Sequence, residues 1–293
     1  MAGFNHQPLR HRFVLFDPSS TQPGKTGTHS LPEVDDGHPR PSVSDETPQF
    51  SASLNNLGYS PVPLTEYLDM LRALGASFPG TGKPVILSVT GTSEEAVRCY
   101  ETVVSERDTI SFPLAVEINL SCPNIPGAPP VAYDAAALTT YLRALPVEPV
   151  VPVGIKTPPY THTGQYDALF EALMGADAAR RLSFITSTNT LGSCLVLDPE
   201  LSSPALPSGG IGGMAGPPLH PLSLGNVATI RAMLDKHADL AHLTIIGVGG
   251  VSDGHTYRNM RSVGATAVAL ATGLGRHGTA IFSSIEKDIG SKW

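Results

Sequence analysis

The chain has 293 residues and a net charge of −7, with 41% apolar and 15% charged residues. This is enough for the core of one large α/β domain or two smaller ones, and the acidic balance gives no electrostatic reason to expect nucleic acid as a partner. The sequence has no apolar run long enough to span a bilayer and no signal-peptide pattern at its start, so we expect a cytoplasmic protein that does not bind membranes.

The N-terminal region is predicted to be a polar arm or loop. Residues 1–53 are rich in Pro, Gly and Ser, and within them only His11–Phe16 resembles a strand. Residues 54–293 have a regular pattern and are predicted to form one barrel domain, in which the first helix contains Leu64 to Leu74 at helical spacing.

Apolar strands then alternate with helices, which indicates a buried parallel sheet. The predicted strands are Pro84–Thr90, Ala115–Ser121, Val151–Lys156, Ser183–Thr188, Leu243–Val248 and Ala267–Ala271. The predicted helices are Thr92–Val104 with a capping box of Thr92 and Glu95, Asp134–Leu145, Tyr166–Met174, Leu222–His237, Asp253–Val263 capped by Ser252, and Gly278–Ile289. A long loop is expected between residue 189 and about residue 220.

This pattern predicts an α/β fold of the (β/α)₈ TIM-barrel type, with an open doubly wound sheet as the alternative. Polar or glycine residues follow the strand ends, and both folds bind ligands at that edge. Only six strands are predicted where a barrel of this type has eight. We therefore expect a barrel that is incomplete at its N-terminus.

The segment after the second predicted strand contains a cysteine between asparagines. Asn119, Ser121, Cys122 and Asn124 follow an apolar run directly. Amides donate and accept hydrogen bonds, so the two asparagines suit a planar ligand with amide edges, and the Cys122 thiol suits a nucleophile or a base. The chain has two other cysteines, Cys99 and Cys194, and this count predicts neither a disulfide framework nor a metal site.

Three further polar residues end or follow predicted strands or turns. Lys156 ends an apolar strand, where its amine could pair with an anion or form a Schiff base. Asn189 follows the next strand, and Asn55 lies in a predicted turn.

Glycine-rich segments late in the chain predict a phosphate site. Gly249 and Gly250 follow one strand, and Thr272 follows the next; backbone N–H groups in such loops bind phosphate. Gly212 and Gly213 belong to a glycine-rich run that is either a linker or a place where the backbone approaches a flat cofactor.

Together these motifs resemble the dihydroorotate dehydrogenases, and within them the cysteine-type, fumarate-linked class. The resemblance lies in six segments that occur in the family's order: Asn119-Leu-Ser-Cys-Pro-Asn-Ile-Pro-Gly127, Val153-Gly-Ile-Lys-Thr-Pro-Pro-Tyr160, Ser187-Thr-Asn-Thr-Leu-Gly192, Gly209-Gly-Ile-Gly-Gly213, Ile246-Gly-Val-Gly-Gly250 and the stretch from Ala271 to Phe282.

The resemblance implies that FMN and dihydroorotate bind at the barrel mouth, in pyrimidine (UMP) biosynthesis. Cys122 would remove the C5 proton while hydride passes from C6 to flavin N5, and Lys156 would face the flavin and stabilise the reduced ring. The pyrimidine would be held by Asn55, Asn119, Asn124, Asn189 and Thr190, and the cofactor by Lys156, Gly212, Gly213, Gly249, Gly250 and Thr272. The resemblance also implies orotate as product, fumarate as electron acceptor and a homodimer.

Two alternatives remain at this stage. The family's first strand–helix–strand is not recognisable in the sequence, so one alternative is an N-terminally truncated, catalytically impaired remnant of the barrel. The other is a Schiff-base aldolase that uses Lys156.

Overall fold

The computed structural model describes residues 13–19, 51–57, 60, 62–80, 82–121, 130–198, 203–206 and 209–290. These residues divide into two compact units. The sheet unit comprises Val62–Asn189 and Asn226–Ile246, and the glycine-loop unit comprises the remaining described residues. Most of the predicted N-terminal arm lies outside the described residues.

The described residues form the following strands and helices. The strands are β1 (Phe13–Phe16), β2 (Ala52–Asn55), β3 (Val85–Val89), β4 (Leu114–Asn119), β5 (Val153–Lys156), β6 (Phe184–Ser187), β7 (Leu191–Cys194), β8 (Leu197–Asp198), β9 (Ser203–Pro204), β10 (Gly212–Ala215), β11 (Thr244–Val248) and β12 (Ala267–Ala269). The α-helices are α1 (Leu64–Ser77), α2 (Ser93–Glu106), α3 (Ala135–Ala144), α4 (Thr163–Gly175), α5 (His220–Leu234), α6 (Gly254–Ser262), α7 (Thr272–His277) and α8 (Ala280–Ile289).

The six strands predicted from the alternating pattern are the six strands of one sheet, in the order β12-β11-β6-β5-β4-β3. The pairs β3–β4, β4–β5 and β5–β6 are parallel. The apolar side chains of the central strands β4 and β5 are largely buried, as in Val116, Ile118, Val153 and Ile155. The fold is therefore α/β and of the (β/α)₈ barrel type, with six strands of this sheet in the part of the chain that the structure describes.

Helix starts in the sheet unit follow the side-chain chemistry of their first residues. The predicted capping box of α2 is present: Thr92 Oγ1 accepts from the Glu95 N–H at 3.2 Å, and Glu95 Oε2 accepts from the Thr92 N–H at 2.8 Å. Asp134 caps α3 with its side chain alone, which accepts from the Ala137 N–H at 2.7 Å. These caps satisfy N–H groups that the first helical turn leaves without partners.

Elsewhere the structure differs from the sequence prediction. The cap of α6 is Asp253 rather than Ser252. The Asp253 carboxylate accepts from the Thr256 N–H at 2.7 Å, and the Thr256 hydroxyl oxygen accepts from the Asp253 N–H at 3.2 Å. The predicted loop after residue 189 contains β7 to β10. The last predicted helix is preceded by the short α7, which ends at His277 and is followed by Gly278 with a φ of +60°.

The glycine-loop unit has its own antiparallel sheet, in the order β1-β2-β10-β7. Its small core consists of Val14, Phe16, Ala52, Leu54, Val196 and Leu206. The strand predicted at His11–Phe16 is thus present from Phe13 to Phe16, but it pairs with β2 rather than joining the parallel sheet. In the described part of the chain, no helix combines the length and the apolar character needed to cross a membrane.

A buried amide fixes the segment that follows β5. Asn226 in α5 is fully buried; its Oδ1 accepts from the Tyr160 N–H at 2.8 Å, and its Nδ2 donates to the Tyr160 carbonyl at 3.0 Å. The Tyr160 ring is also fully buried, and its hydroxyl donates to the Ala132 carbonyl at 3.2 Å. Burial raises the pKa of Tyr160, so the phenol stays protonated and keeps this donor.

We expect Asn226→Leu to lower the free energy of unfolding by about 1–3 kcal/mol, because it leaves the Tyr160 N–H buried without a partner and the Tyr160 carbonyl with only the Tyr166 hydroxyl, at 3.4 Å. Urea unfolding followed by circular dichroism measures this. Asn226→Asp is the matched variant: it keeps the acceptor but loses the donor and buries a charge, so it should also destabilise the fold. Wild-type unfolding midpoints in both variants would contradict the role given to this amide.

Candidate active site

The ends of three adjacent parallel strands bring polar side chains together in the sheet unit. Asn119 ends β4 and is the register partner of Lys156, which ends β5 and is in turn the partner of Thr186 in β6. Register partners in a parallel pair point to the same face of the sheet. The three side chains therefore lie side by side at the carboxyl edge, where barrel enzymes place their catalytic groups.

Two of the predicted pyrimidine-binding amides contact each other here. Asn119 Oδ1 accepts from the Asn189 side-chain amide at 3.1 Å and from the Ser121 N–H at 3.1 Å. The Asn189 N–H donates to the Thr157 carbonyl at 2.9 Å, which fixes the loop after β6. The oxygen of Asn119 is thus engaged twice, and its NH₂ group, which has no acceptor among the described residues, can donate to a ligand.

Lys156 provides a cation at this edge. It is half-buried, and its ammonium makes no ion pair or hydrogen bond with the residues that the structure describes. Glu117 lies on the same strand face as Asn119 and is buried, with Ser88 donating to its carboxylate at 2.8 Å. Its register partner is Gly154, where a Cβ would lie 2.2 Å from the Phe184 ring. The glycine thus leaves room for the Phe184 ring. Lys156, which has no partner among the described residues, is available to an anionic group.

Three buried hydroxyl groups near the ends of β4 and β6 have no hydrogen-bond partner among the described residues. Ser121 Oγ, Thr186 Oγ1 and Ser187 Oγ are buried and make no hydrogen bond within the described residues. Native structures rarely leave buried polar atoms unsatisfied except where a ligand or solvent completes them. Thr186 lies on the same face of the sheet as Lys156, so its hydroxyl and that of Ser121 after β4 fit a polar ligand at the ends of these strands. Ser187 is the next residue of β6 and points to the opposite face.

Of the three cysteines, the structure describes Cys99 and Cys194. Cys122 and Asn124 lie outside the described residues. Both other cysteines are half-buried, and burial raises the pKa of Cys99 and of Cys194. A raised pKa disfavours the thiolate, which is the basic form, so neither is suited to remove a proton.

The glycine-loop unit contains the predicted phosphate loop. Gly249 and Gly250 follow β11 with φ angles of +138° and +69°, which residues other than glycine rarely adopt. A Cβ on Gly249 would lie 1.9 Å from Ser223 Oγ, and one on Gly250 would lie 2.6 Å from the His220 Cβ. Both glycines are thus required by backbone conformation and by the first turn of α5 packed against them.

Thr272 lies in the same unit and is held by a residue of β2. The hydroxyls of Thr272 and Ser53 are 2.8 Å apart, and Ser53 is buried. A Cβ on Gly216 would lie 3.3 Å from the Thr272 methyl group and 2.7 Å from the Ser51 carbonyl. The Thr272 hydroxyl is therefore fixed in position.

The other predicted residues of this unit form a second cluster around β10. Asn55 ends β2 rather than lying in a turn; its side-chain amide donates to the Gly213 carbonyl at 3.3 Å. A Cβ on Gly213 would lie 2.1 Å from Thr190 Oγ1, and one on Gly212 would lie 2.5 Å from the Asn55 carbonyl. Gly212 and Gly213 are strand residues where backbone and Thr190 approach closely, not a flexible linker.

The predicted site residues therefore form two groups, each within its own unit. Asn119, Lys156 and Asn189 belong to the sheet unit; Asn55, Thr190, Gly212, Gly213, Gly249, Gly250 and Thr272 belong to the glycine-loop unit. Sequence reasoning missed Glu117, Ser53, His220 and Ser223, because nothing local marks their contacts. Two of them, Ser53 in β2 and Glu117 in β4, could have been noticed as polar residues within otherwise apolar runs.

The residues present have the chemistry needed to bind the phosphate and the ring of a flavin mononucleotide. Gly250 has an N–H without an acceptor among the described residues. When Ser53 donates to Thr272, the Thr272 hydroxyl keeps its own hydrogen as a second donor suited to a phosphate. Lys156 supplies a cation suited to negative charge on a reduced ring. The fold is thus that of an α/β protein of the barrel type, with polar side chains side by side at the carboxyl edge of its sheet.

Comparison with known proteins identifies the family. The family model "Dihydroorotate dehydrogenase" matches residues 24–292. "Dihydroorotate dehydrogenase A (fumarate)" of Lactococcus lactis subsp. cremoris is 31% identical over 284 residues, which is 95% of this chain and 86% of that protein. "Dihydroorotate dehydrogenase (fumarate)" of Trypanosoma cruzi (strain CL Brener) is 32% identical over 259 residues, 85% of this chain and 77% of that protein. The chain belongs to the dihydroorotate dehydrogenase family.

Proposed function

We propose that this protein oxidises dihydroorotate to orotate with FMN, in pyrimidine biosynthesis, and that fumarate accepts the two electrons. The family assignment supports the oxidation of dihydroorotate. The observation that carries the proposal for this chain is the contact of Asn119 with Asn189 beside Lys156, at the ends of adjacent strands. The resemblance further supports a homodimer.

The substrate is held by the chain's own amides and hydroxyls. Asn119 donates through its NH₂ group to a carbonyl of the pyrimidine, and Asn55, Asn124, Asn189 and Thr190 complete the set of polar contacts. The buried hydroxyls of Ser121 and Thr186 gain partners when the ligand is present. Dihydroorotate also carries a carboxylate, which accepts hydrogen bonds from these amide and hydroxyl groups.

The proton and the hydride leave from neighbouring carbons. Loss of hydride from C6 alone would leave a cation, so Cys122 takes the proton from C5 and the C5–C6 double bond forms. FMN, when bound, supplies the acceptor for the hydride. Lys156 holds a positive charge where negative charge accumulates, and Gly249, Gly250 and Thr272 hold the phosphate, with Gly212 and Gly213 allowing close backbone approach.

Replacing Cys122 by alanine tests the base. We expect the rate of flavin reduction by dihydroorotate to fall by at least about 100-fold, the usual loss when a positioned general base is removed. Stopped-flow absorbance under anaerobic conditions measures this rate. In the wild type the rate should rise with pH, because only the thiolate accepts the proton.

Cys99→Ala is the matched control, since it makes the same change at a half-buried cysteine of α2. It should leave the rate of flavin reduction unchanged. A wild-type rate in Cys122→Ala would show that another group removes the proton.

A further inference from the structure

A buried histidine contacts the phosphate loop of the glycine-loop unit. His220 is the first residue of α5 and is 8% exposed. Its Nδ1 lies 2.8 Å from the Gly249 carbonyl oxygen. Because a carbonyl only accepts, Nδ1 must carry the hydrogen. Nε2 is buried without a hydrogen-bond partner in the described residues, so the bond from Nδ1 to Gly249 is the contact that orients the ring.

This contact determines where the next N–H group points. A trans peptide unit is planar, and its C=O and N–H point in opposite directions. With the Gly249 carbonyl directed at His220, the N–H of Gly250 is directed away from the imidazole. That N–H has no acceptor among the described residues, so it is available to a ligand.

Packing restricts the same peptide unit. A Cβ on Gly250 would lie 2.6 Å from the His220 Cβ and 2.8 Å from the Gly216 carbonyl. One turn later in α5, Ser223 is fully buried and lies close under Gly249. The first turn of α5 therefore supports both glycines from one side, and His220 is the member of that turn that bonds to the loop.

We propose that His220 is a positioning residue for the cofactor phosphate: by binding the Gly249 carbonyl it turns the N–H of Gly250 toward the phosphate. This inference rests on the proposed function, because the anion it concerns is the phosphate of FMN. The imidazole acts through the loop and needs no contact with the cofactor. It follows that the contribution of His220 to binding depends on the phosphate and not on the flavin ring.

Riboflavin, which has the ring without the phosphate, separates these two contributions. The dissociation constants of FMN and riboflavin are measured by fluorescence quenching for the wild type, His220→Leu and His220→Asn. His220→Leu should weaken FMN binding by about tenfold, the effect of one hydrogen bond to a charged group, and leave riboflavin binding unchanged. His220→Asn, whose Nδ2 can take the place of Nδ1, should retain most of the wild-type preference for FMN. Thermal unfolding of the cofactor-free variants shows that they remain folded.

The results separate this inference from the proposed function. If the wild type prefers FMN and His220→Leu keeps the same preference, the positioning role is wrong while the proposed function stands. If His220→Leu weakens both ligands equally, the residue is only structural and the inference is also overturned. If the wild type binds no FMN, both the positioning role of His220 and the proposed function are wrong.

Discussion

Lys156→Ala should slow the reduction of bound flavin by dihydroorotate by about 100-fold or more, the usual cost of removing one preorganised charge from a developing anion. Lys156 ends β5, beside Asn119, and its ammonium has no partner among the described residues that would occupy it. A half-buried cation acts in a medium of lower dielectric than water, where its effect on nearby charge is larger. Anaerobic stopped-flow absorbance of the FMN-loaded variant measures the rate.

Two further variants sharpen this result. Lys83→Ala, at an exposed lysine before β3, should have no effect on the rate. Lys156→Arg keeps the charge but replaces a compact ammonium with a planar group, so it should recover only part of the rate. An unchanged rate in Lys156→Ala would remove this residue from the mechanism.

The alternative role of Lys156, as the amine of a Schiff-base aldolase, makes a different prediction. Borohydride would then trap a carbonyl substrate covalently on Lys156 in protein free of flavin. The proposed function predicts no such adduct with dihydroorotate.

Gly249→Ala should abolish measurable FMN binding and lower the free energy of unfolding by about 2–5 kcal/mol, from backbone strain and overpacking together. At a φ of +138° an alanine is strained, and its Cβ would lie 1.9 Å from Ser223 Oγ and 2.7 Å from the Ser223 Cβ. Ser223 is fully buried in α5 and has little room to move. The loop must therefore shift, and its N–H groups shift with it. FMN fluorescence titration and urea unfolding measure the two effects.

The chain offers a matched control in the same region. Gly225 is in α5, and a Cβ there would meet nothing within 4 Å. Gly225→Ala should therefore bind FMN normally and raise the free energy of unfolding by about 0.5–1 kcal/mol, as alanine is the better helix former. Adding Ser223→Gly to Gly249→Ala should recover part of the lost stability, because it removes the clash but not the strain. Equal behaviour of Gly249→Ala and Gly225→Ala would contradict the packing described for the loop.

The sequence predicted the parallel sheet well because its signal is local. Runs such as those of β4 and β5 are apolar except for Glu117 and the last residue of each strand, since both faces of each strand are largely buried. The capping box of Thr92 and Glu95 was equally predictable, because all its atoms lie within four residues. The same locality explains why Asn119 and Lys156 were placed correctly at strand ends.

The antiparallel sheet of the glycine-loop unit was not predictable in this way. Strand β10 contains two glycines and pairs with β2, which is more than 150 residues earlier in the chain. Short glycine-containing strands have weak intrinsic preference, so their partners decide the structure. Asn55 consequently reads as a turn residue although it ends a strand. At α6 two adjacent residues are both good caps, and only Asp253 stands three residues before Thr256, with which it exchanges hydrogen bonds.

The most direct test is the visible spectrum of protein that has been incubated with FMN and freed of unbound FMN, recorded before and after anaerobic addition of dihydroorotate. The proposed function predicts a yellow protein whose oxidised flavin band disappears on addition of dihydroorotate and returns when fumarate is added. A catalytically impaired barrel would give a colourless protein, or a yellow one whose flavin band does not change with dihydroorotate, and either result would contradict the proposed function.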